Sequence, residues 1–448
     1  MSVTFLHAAD LHLGSPLRAV EDASPSFAER LNEATYDAFG RIIDVAVEQG
    51  VDFVVIAGDL YDRQARSVVA NQFLVEQFER LADKGIPSYV VHGNHDPLGE
   101  GAEKLELPDP VTVFGSDGVT AVAYPEAGAP EAYLLGHSYG SRHVSRPLVE
   151  QYTPEDRSVP AIGLLHTGLN PDGRRYVPCS PADLAAKPID YWALGHLHTP
   201  ACVEGAPAAY SGIPQGRHAG ELGVGGCLLV TLEAHRDPAL EFVPVSPIVW
   251  HEEVIDIGEA TPESPLRNIS EAETFIDERA LDLRAADLAE VPALPDMPLA
   301  DTDWEPDGFV CRWTFTGCGE LHEVLDAEAR DVLAERLRSR LGDGQPFVWT
   351  EAVRDRTGMP IPDIETLADD DEVIGELRTL ARELREDPAV RAELRGRTGD
   401  VWEWVEDPDR EGTPPDRFPL DEDRLDRLID RGLQTAIDHL AVQRNHVD

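Results

Sequence analysis

Five short stretches of this 448-residue chain place carboxylates, histidines and an asparagine where an apolar run ends. Residues 3–8 lead into Asp10-Leu11-His12, residues 51–57 into Gly58-Asp59-Leu60-Tyr61-Asp62, and residues 86–91 into Gly93-Asn94-His95-Asp96. Farther on, Ile162-Gly163-Leu164-Leu165 ends in His166, and residues 190–194 end in Gly195-His196-Leu197-His198. Asp10 and His12 are two apart, as are His196 and His198, so in an extended segment each pair faces one way. Glycines at 58, 93 and 195 remove a Cβ beside a donor and ease close backbone approach. A single strand-end Asp or His is more often a cap or a satisfied core group. Five in this order and context point to a shared site. Mixed oxygen and nitrogen donors suit Mn, Fe or Zn better than Mg or Ca, and Mn²⁺ is the expected ion. Asp59 has two oxygens with which to bridge two cations. Two such ions about 3.5–4 Å apart generate a nucleophile from water and clamp a phosphoryl group for in-line displacement.

The elements that must carry these residues alternate. In residues 28–49, Leu31, Ala34, Ala38, Ile42, Val45 and Ala46 recur at helical spacing. The β-branched run at 51–57 is long enough for a buried strand and too short for a globular helix. Residues 66–84 read as helix and 86–91 as strand. Further strands are expected near 111–114, 132–136, 160–165, 190–194, 226–233 and 239–245. In open α/β sheets, sites form at the carboxyl ends of such strands. From 248 the chain reads strand (248–257), helix (271–289), strand (309–316), helix (319–341), strand (347–353). The expectation is three regions: an α/β layered core at 1–247, a smaller α+β domain at 248–355, and a helical region at 356–448.

Composition narrows the class. Asp and Glu number 84 against 38 Lys and Arg, giving a net charge of −46 spread along the chain. Only Lys84, Lys104 and Lys187 are lysines. A surface this acidic repels itself in dilute buffer, whereas molar salt screens charge within about 3 Å. Adaptation to a salt-rich cytoplasm is the reading. No run of 18 apolar residues is present, so no membrane span is expected. Residues 1–7 lack the basic start of a signal peptide. Cys179, Cys202, Cys227, Cys311 and Cys318 form no CxxC, as in a reduced cytoplasmic protein rather than a disulfide or zinc scaffold.

The D-x-H, G-D, G-N-H-D, H, G-H-x-H series resembles the calcineurin-like metallophosphoesterases. The opening His7-Ala8-Ala9-Asp10-Leu11-His12-Leu13-Gly14-Ser15-Pro16 and the stretch Gly58-Asp59-Leu60-Tyr61-Asp62-Arg63 are similar to the SbcD/YhaO-like DNA repair exonucleases. The resemblance implies two β-sheets flanked by helices, with a cap domain shaping access to double-stranded ends. It implies a first metal on Asp10, His12, Asp59 and His198, and a second on Asp59, Asn94, His166 and His196. It makes His95 a contact to the scissile phosphate that assists the leaving oxygen, and Asp62 the carboxylate that orients His95. Some relatives carry His in place of Asp62, and Asp matches the wider phosphoesterase pattern. Arg63 could touch substrate phosphate or form a surface ion pair. The resemblance further implies a two-metal phosphodiesterase acting 3′-to-5′ on DNA ends, partnered by an SMC-like, SbcC-type ATPase, with a homodimer open.

Two other classes stay open: a phosphoesterase for small phosphodiesters or phosphoproteins on the same metal core, and a non-catalytic scaffold. His92 reads as a core or backbone-bonding group. His137 and His143 could line a cleft or be structural. Arg142, Arg146, Arg174, Arg175 and Arg217 could track a DNA backbone or be solvated ion pairs. Trp402 and Trp404 read as core or interface residues rather than base-stacking ones, and Cys311 and Cys318 as buried thiols. The apolar stripe of 421–443 (Leu425, Leu428, Ile429, Leu433, Ala436, Ile437, Leu440) either docks on its own chain or lies in a groove of the ATPase.

Overall fold

The computed structural model describes residues 2–17, 25–62, 67–98, 107–169, 176–258, 265–286, 291, 294–358, 372–388 and 390–391, with positions 425, 429, 432, 433 and 436. Arg63, Arg174, Arg175, Trp402 and Trp404 lie outside the described residues.

The chain divides into two compact units. Unit 1 comprises Met1–His251, Asp282–Cys311 and Asp343–Glu351, and unit 2 comprises Glu252–Leu281, Arg312–Gly342 and Ala352–Asp448.

Unit 1 is built on two six-stranded mixed sheets. The first contains β1 (Ser2–Ala8), β2 (Phe53–Ala57), β3 (Ser88–Val91) and β4 (Val111–Val113), all parallel. Two antiparallel strands, β11 (Gly226–Glu233) and β12 (Ala239–Pro244), extend it beyond β1. The second sheet runs β5 (Thr120–Tyr124), β6 (Ala132–Gly136), β7 (Ala161–His166), β8 (Tyr191–Gly195), β10 (Ala208–Tyr210), β9 (Ala201–Cys202). From β6 to β10 its strands are parallel.

Strand alternation explains the layers. On β1 and β2, Leu6, Ala8, Val54 and Ile56 face α1 (Pro25–Gln49) and α2 (Val68–Ala82), meeting Ala38, Phe39, Ile42, Leu74 and Phe78 in one core. The alternate residues face the second sheet: Phe5 stacks on Phe53 at 4.9 Å and meets the Tyr191 ring edge-on at 5.8 Å. His7 bonds across the same gap, from Nδ1 to the Tyr191 hydroxyl at 2.8 Å and from Nε2 to the Leu194 carbonyl at 3.1 Å. Burial on both faces is why β2, β7 and β8 read as near-continuous apolar runs. Leu165, Trp192 and Leu194 on the outer side of the second sheet pack with Tyr152 and with Leu184 of the short α3 (Pro181–Ala185).

Most expected elements are present within two or three residues. β5, β9 and β10 are strands that periodicity did not reveal; β9 and β10 are only 2 and 3 residues long. The helix expected at 271–289 is α4 (Ile269–Ala285), and the one expected at 319–341 is in two pieces. Glu320–Glu323 form a 3₁₀ turn, and α5 (Ala327–Leu341) begins where the Asp326 carboxylate accepts from the Ala329 N–H at 2.8 Å.

A third sheet holds β13 (Ile248–Asp256), β14 (Gly308–Cys318) and β15 (Phe347–Gly358) in that order. The division between units falls within each of these strands. In unit 2, Ile255, Ile276, Trp313, Phe315, Leu333 and Leu337 are buried. Cys311 is buried as expected, whereas Cys318, at the end of β14, is exposed. Also in unit 2, α6 (Glu372–Glu386) carries Ala381, which shares a small buried cluster with Leu425 and Ile429. Leu384 and Leu433 pack against it. Leu425, Ile429 and Leu433 of the C-terminal stripe therefore face their own chain.

Candidate metal centre

Every residue of the centre belongs to unit 1. β1, β2 and β3 end side by side in the first sheet, and β7 and β8 do so in the second, so their C-terminal loops meet at one edge of the layered core. Backbone bonds lock the first two loops together: Asp10 N–H donates to Gly58 O at 2.9 Å, His12 N–H to Asp59 O at 3.1 Å, and Leu13 N–H to Leu60 O at 2.9 Å. The third loop is held by Asp96, whose carboxylate accepts from Gly93 N–H at 2.8 Å and Leu60 N–H at 3.0 Å. Asp96 is the fourth residue of the Gly-Asn-His-Asp motif, and His92 is tied to it by Nδ1 at 3.0 Å.

The convergence is as expected but its local cause differs. Asp10, His12, Asp59 and His196 are not extended; their φ angles are 52°, 42°, 54° and 101°. This left-handed region is rare for non-glycine residues and is held only where surroundings over-determine it. Close approach matters at two glycines. A Cβ on Gly93 would collide with the Asp59 carboxylate, and one on Gly195 with the Ala57 carbonyl.

Donor atoms gather in overlapping groups, each within 4.8 Å: Asp10 with His12 and His198, Asp10 with Asp59 and His166, and His12 with Asp62 and His95. Asn94 Oδ1 lies 3.0 Å from His166 Nε2 and 3.2 Å from His196 Nδ1, which joins these residues to the second group. Nine of the ten predicted site residues are thus brought together, and Arg63 is outside the described residues.

Hydrogen bonds on the outer nitrogens orient the rings. His12 Nδ1 meets Asp62 Oδ1 at 2.8 Å, His198 Nδ1 meets Glu221 Oε1 at 2.7 Å, and His166 Nδ1 meets Ala57 O at 2.9 Å. Each partner is an acceptor, so each Nδ1 carries a proton and each Nε2 keeps a lone pair in the neutral ring. His12 Nε2 is buried with no hydrogen-bond partner. His166 Nε2 faces only oxygens, Asn94 Oδ1 and, at 3.3 Å, Asp59 Oδ2. A lone pair set among acceptors calls for a cation. The donor set therefore fits divalent metal.

The electrostatics agree. Burial, with the charge of Arg217, lowers His12 to about 4, and burial with His166 nearby lowers His196 to about 3, so both rings are neutral. Burial also opposes charge on His166, but Asp59 and Asp10 outweigh it and raise the ring to about 9, so this corner of the centre favours positive charge. Burial lifts Asp10 to about 6, against the pull of His166 and His198. Asp59 stays well below the usual range, because His166 and His95 overcome its burial. Burial works against charge on His95 as well, yet Asp59 and the bond from Asp62 raise it to about 9.

Asp62 does more than the sequence implied. Its Oδ1 accepts from His95 Nδ1 at 2.9 Å as well as from His12, and Ser15 Oγ donates to Oδ2. Ser15, Asp96, Glu221 and the position of Arg217 were not foreseen. Ser15 lies inside the opening stretch His7–Pro16, and Glu221 sits four residues past Arg217, but no local spacing marks either as part of the site. Among the other candidates, His137 is buried with Nε2 on the Ser116 carbonyl at 3.1 Å, and His143 lies against the Tyr176 ring at 6.0 Å. Arg146 is exposed and Arg142 half-buried.

Residues 3–200 match the calcineurin-like phosphoesterase family. With the two sheets and this donor set, the stretch is a calcineurin-like metallophosphoesterase domain. The chain is similar to the uncharacterized metallophosphoesterase YhaO of Bacillus subtilis, 36% identical over 262 residues, covering 58% of this chain and 64% of that protein. It is also similar to the DNA double-strand break repair protein Mre11 of Sulfurisphaera tokodaii, 29% identical over 209 residues, 43% of this chain and 48% of that one. The chain thus spans less than two thirds of the length of these curated relatives. A dimetal phosphatase from Danio rerio aligns at a TM-score of 0.31 and 12% identity over 55% of this chain and 98% of its own, too distant to bear on function.

Proposed function

We propose that the protein is a two-metal phosphodiesterase that processes DNA ends, a repair exonuclease of the SbcD/YhaO kind. The observation that carries the metal chemistry is His12 Nε2, a buried ring nitrogen with no hydrogen-bond partner, held by Asp62 beside Asp10 and His198. The similarity to the Mre11 repair proteins supports the choice of DNA.

Asp10, His12, Asp59 and His198 would hold one ion, and Asp59, Asn94, His166 and His196 the other. When bound, two divalent ions supply a nucleophile from water and neutralise charge on the phosphoryl group. The rest falls to the chain. His95 is partly open to solvent, with 24% of its side chain exposed, so a phosphodiester can reach it. Asp62 fixes its ring through Nδ1, which leaves Nε2 to hold a proton for the departing oxygen. The buried rings of His12 and His166 turn only slightly before losing their outer partners, so the donors stay where the phosphate needs them.

Manganese suits the mixed donor set. Polarity from the 3′ end and an SMC-like, SbcC-type ATPase partner enter through the resemblance. Docking of the 421–443 stripe in a partner groove would have to open the packing of Leu425 and Ile429 with Ala381, so we assign those two residues to their own chain. No helix among the described residues is long and apolar enough to cross a membrane.

The test is digestion of end-labelled duplex DNA with Mn²⁺ in molar KCl, beside a chromogenic phosphodiester. Shortening of labelled ends is expected, together with turnover of the small diester. Turnover of the small diester alone would replace DNA by a small substrate. Wild-type protein that binds divalent ions yet cleaves neither would make the domain a scaffold.

A further inference from the structure

Arg217 sits where a phosphate-binding arginine would be unable to work. It is 6% exposed, and its guanidinium is committed to two carboxylates. Nη1 donates to Asp62 Oδ2 at 2.8 Å and Nη2 to Glu221 Oε1 at 3.0 Å, while its backbone N–H donates to Glu221 Oε2 at 2.6 Å. Those two carboxylates are the ones that hold histidines. Asp62 takes the outer nitrogens of His12 and His95, and Glu221 takes that of His198. One planar side chain therefore fixes the acceptors of three rings.

The other half of the centre is built differently. His166 is oriented by the Ala57 backbone carbonyl, and His196 receives its backbone geometry from the Asp10 carboxylate, which accepts its N–H at 3.0 Å. Neither uses Arg217. The physical consequence is an asymmetry. Asp62 and Glu221 are like charges in a poorly solvated corner. A fixed guanidinium fork between them is what holds both in place. Without it, the two carboxylates would repel and one would turn away, and the histidine it serves would lose its orientation.

We propose that Arg217 is a positioning residue that sets the affinity of one of the two cation sites, the one served by His12 and His198, and leaves the site served by His166 and Asn94 untouched. This rests on the two-metal reading of the centre. The role is carried through Asp62 and Glu221, and Arg217 itself touches neither ion nor phosphate.

The experiment is a Mn²⁺ titration of the full chain by calorimetry, with electron paramagnetic resonance of the same samples. Wild type and the variants Arg217→Met, Arg217→Lys and Glu221→Gln are compared. Wild type is expected to take up two ions and show the signal of a coupled pair. In Arg217→Met one site weakens by about 10–100-fold, the range seen when an outer partner of a metal-bound histidine is removed. The other keeps its affinity, so at limiting Mn²⁺ the isolated-ion signal replaces the pair. Arg217→Lys keeps the charge but cannot fork to both carboxylates, and recovers only part of the loss. Glu221→Gln weakens the same single site. Two unchanged sites in Arg217→Met, or equal weakening of both in a folded sample, would overturn the proposal. If Arg217→Met does not fold, Arg217→Lys and Glu221→Gln decide the matter by the same criterion. Wild type that binds no divalent ion would overturn the two-metal reading instead, which keeps the two failures apart.

Discussion

Asp62 Oδ1 accepts hydrogen bonds from two histidines at once, from His12 Nδ1 at 2.8 Å and from His95 Nδ1 at 2.9 Å. With the roles proposed above, a metal-facing ring for His12 and a phosphate-facing ring for His95, removing this carboxylate would disturb both. Burial opposes its ionisation, but the His12 ring, both histidine bonds and the Arg217 guanidinium hold it far below the usual carboxylate range. Asp62→Asn is therefore expected to weaken Mn²⁺ binding by about 10–100-fold as well as slowing turnover. Calorimetry beside a rate assay separates the two. Slower turnover with unchanged metal affinity would show that Asp62 acts through His95 alone.

His95→Ala makes the complementary prediction. The ring does not share the His166 and Asn94 cluster, and its Nδ1 is taken by Asp62. Two ions should still bind, while turnover falls by roughly 10²–10⁴-fold, the scale of a positioned acid–base group. Loss of one ion in His95→Ala would mean that the ring is itself a ligand.

Asp59 offers the sharpest test of the shared centre. It lies with Asp10 and His166 in one group and accepts His95 N–H at 2.9 Å through Oδ1. Asp59→Ala should abolish Mn²⁺-dependent cleavage and lower the number of bound ions. Gly93→Ala should do much the same without deleting a donor, since its methyl group would displace the Asp59 carboxylate. Full activity in folded Asp59→Ala would sink the two-metal assignment.

His7 makes stability depend on pH. Burial lowers it from 6.5 to about 3, and the Leu194 carbonyl only partly compensates; the Tyr191 hydroxyl is its bonded titratable neighbour. The unfolded chain therefore binds one more proton than the native chain between these values. Stability from this group is complete above pH 6.5 and is lost as pH falls toward 3, about 2 kcal/mol of it by pH 5. Urea unfolding of wild type and His7→Gln at pH 7 and pH 5 should show a shallower loss in the variant. Equal losses would remove His7 from the acid sensitivity.

The charge of −46 predicts that salt stabilises. Screening relieves self-repulsion as KCl rises toward molar concentrations, while DNA affinity falls through counterion release. The unfolding midpoint is expected to climb with KCl. Highest stability in dilute buffer would argue against adaptation to a salt-rich cytoplasm.

The residue types of the centre and the order of its strands are legible in the sequence. Buried parallel strands must be apolar on both faces, so β2, β7 and β8 announce themselves as near-continuous runs, and polar residues at their ends stand out. Adjacent parallel ends then bring Asp10, Asp59, Asn94, His166 and His196 to one edge. Local spacing gave the wrong reason for two pairs, however. Asp10, His12 and His196 converge through left-handed backbone angles that only the packed loops sustain. The support of the histidines is a tertiary matter altogether. Arg217 meets Asp62 across 155 residues of sequence, and Glu221 meets His198 across 23. No periodicity records such partners, because a loop can carry them anywhere. Only the folded chain decides that an arginine which reads as a surface charge is buried, and that its two neighbours are the carboxylates on which three histidines depend.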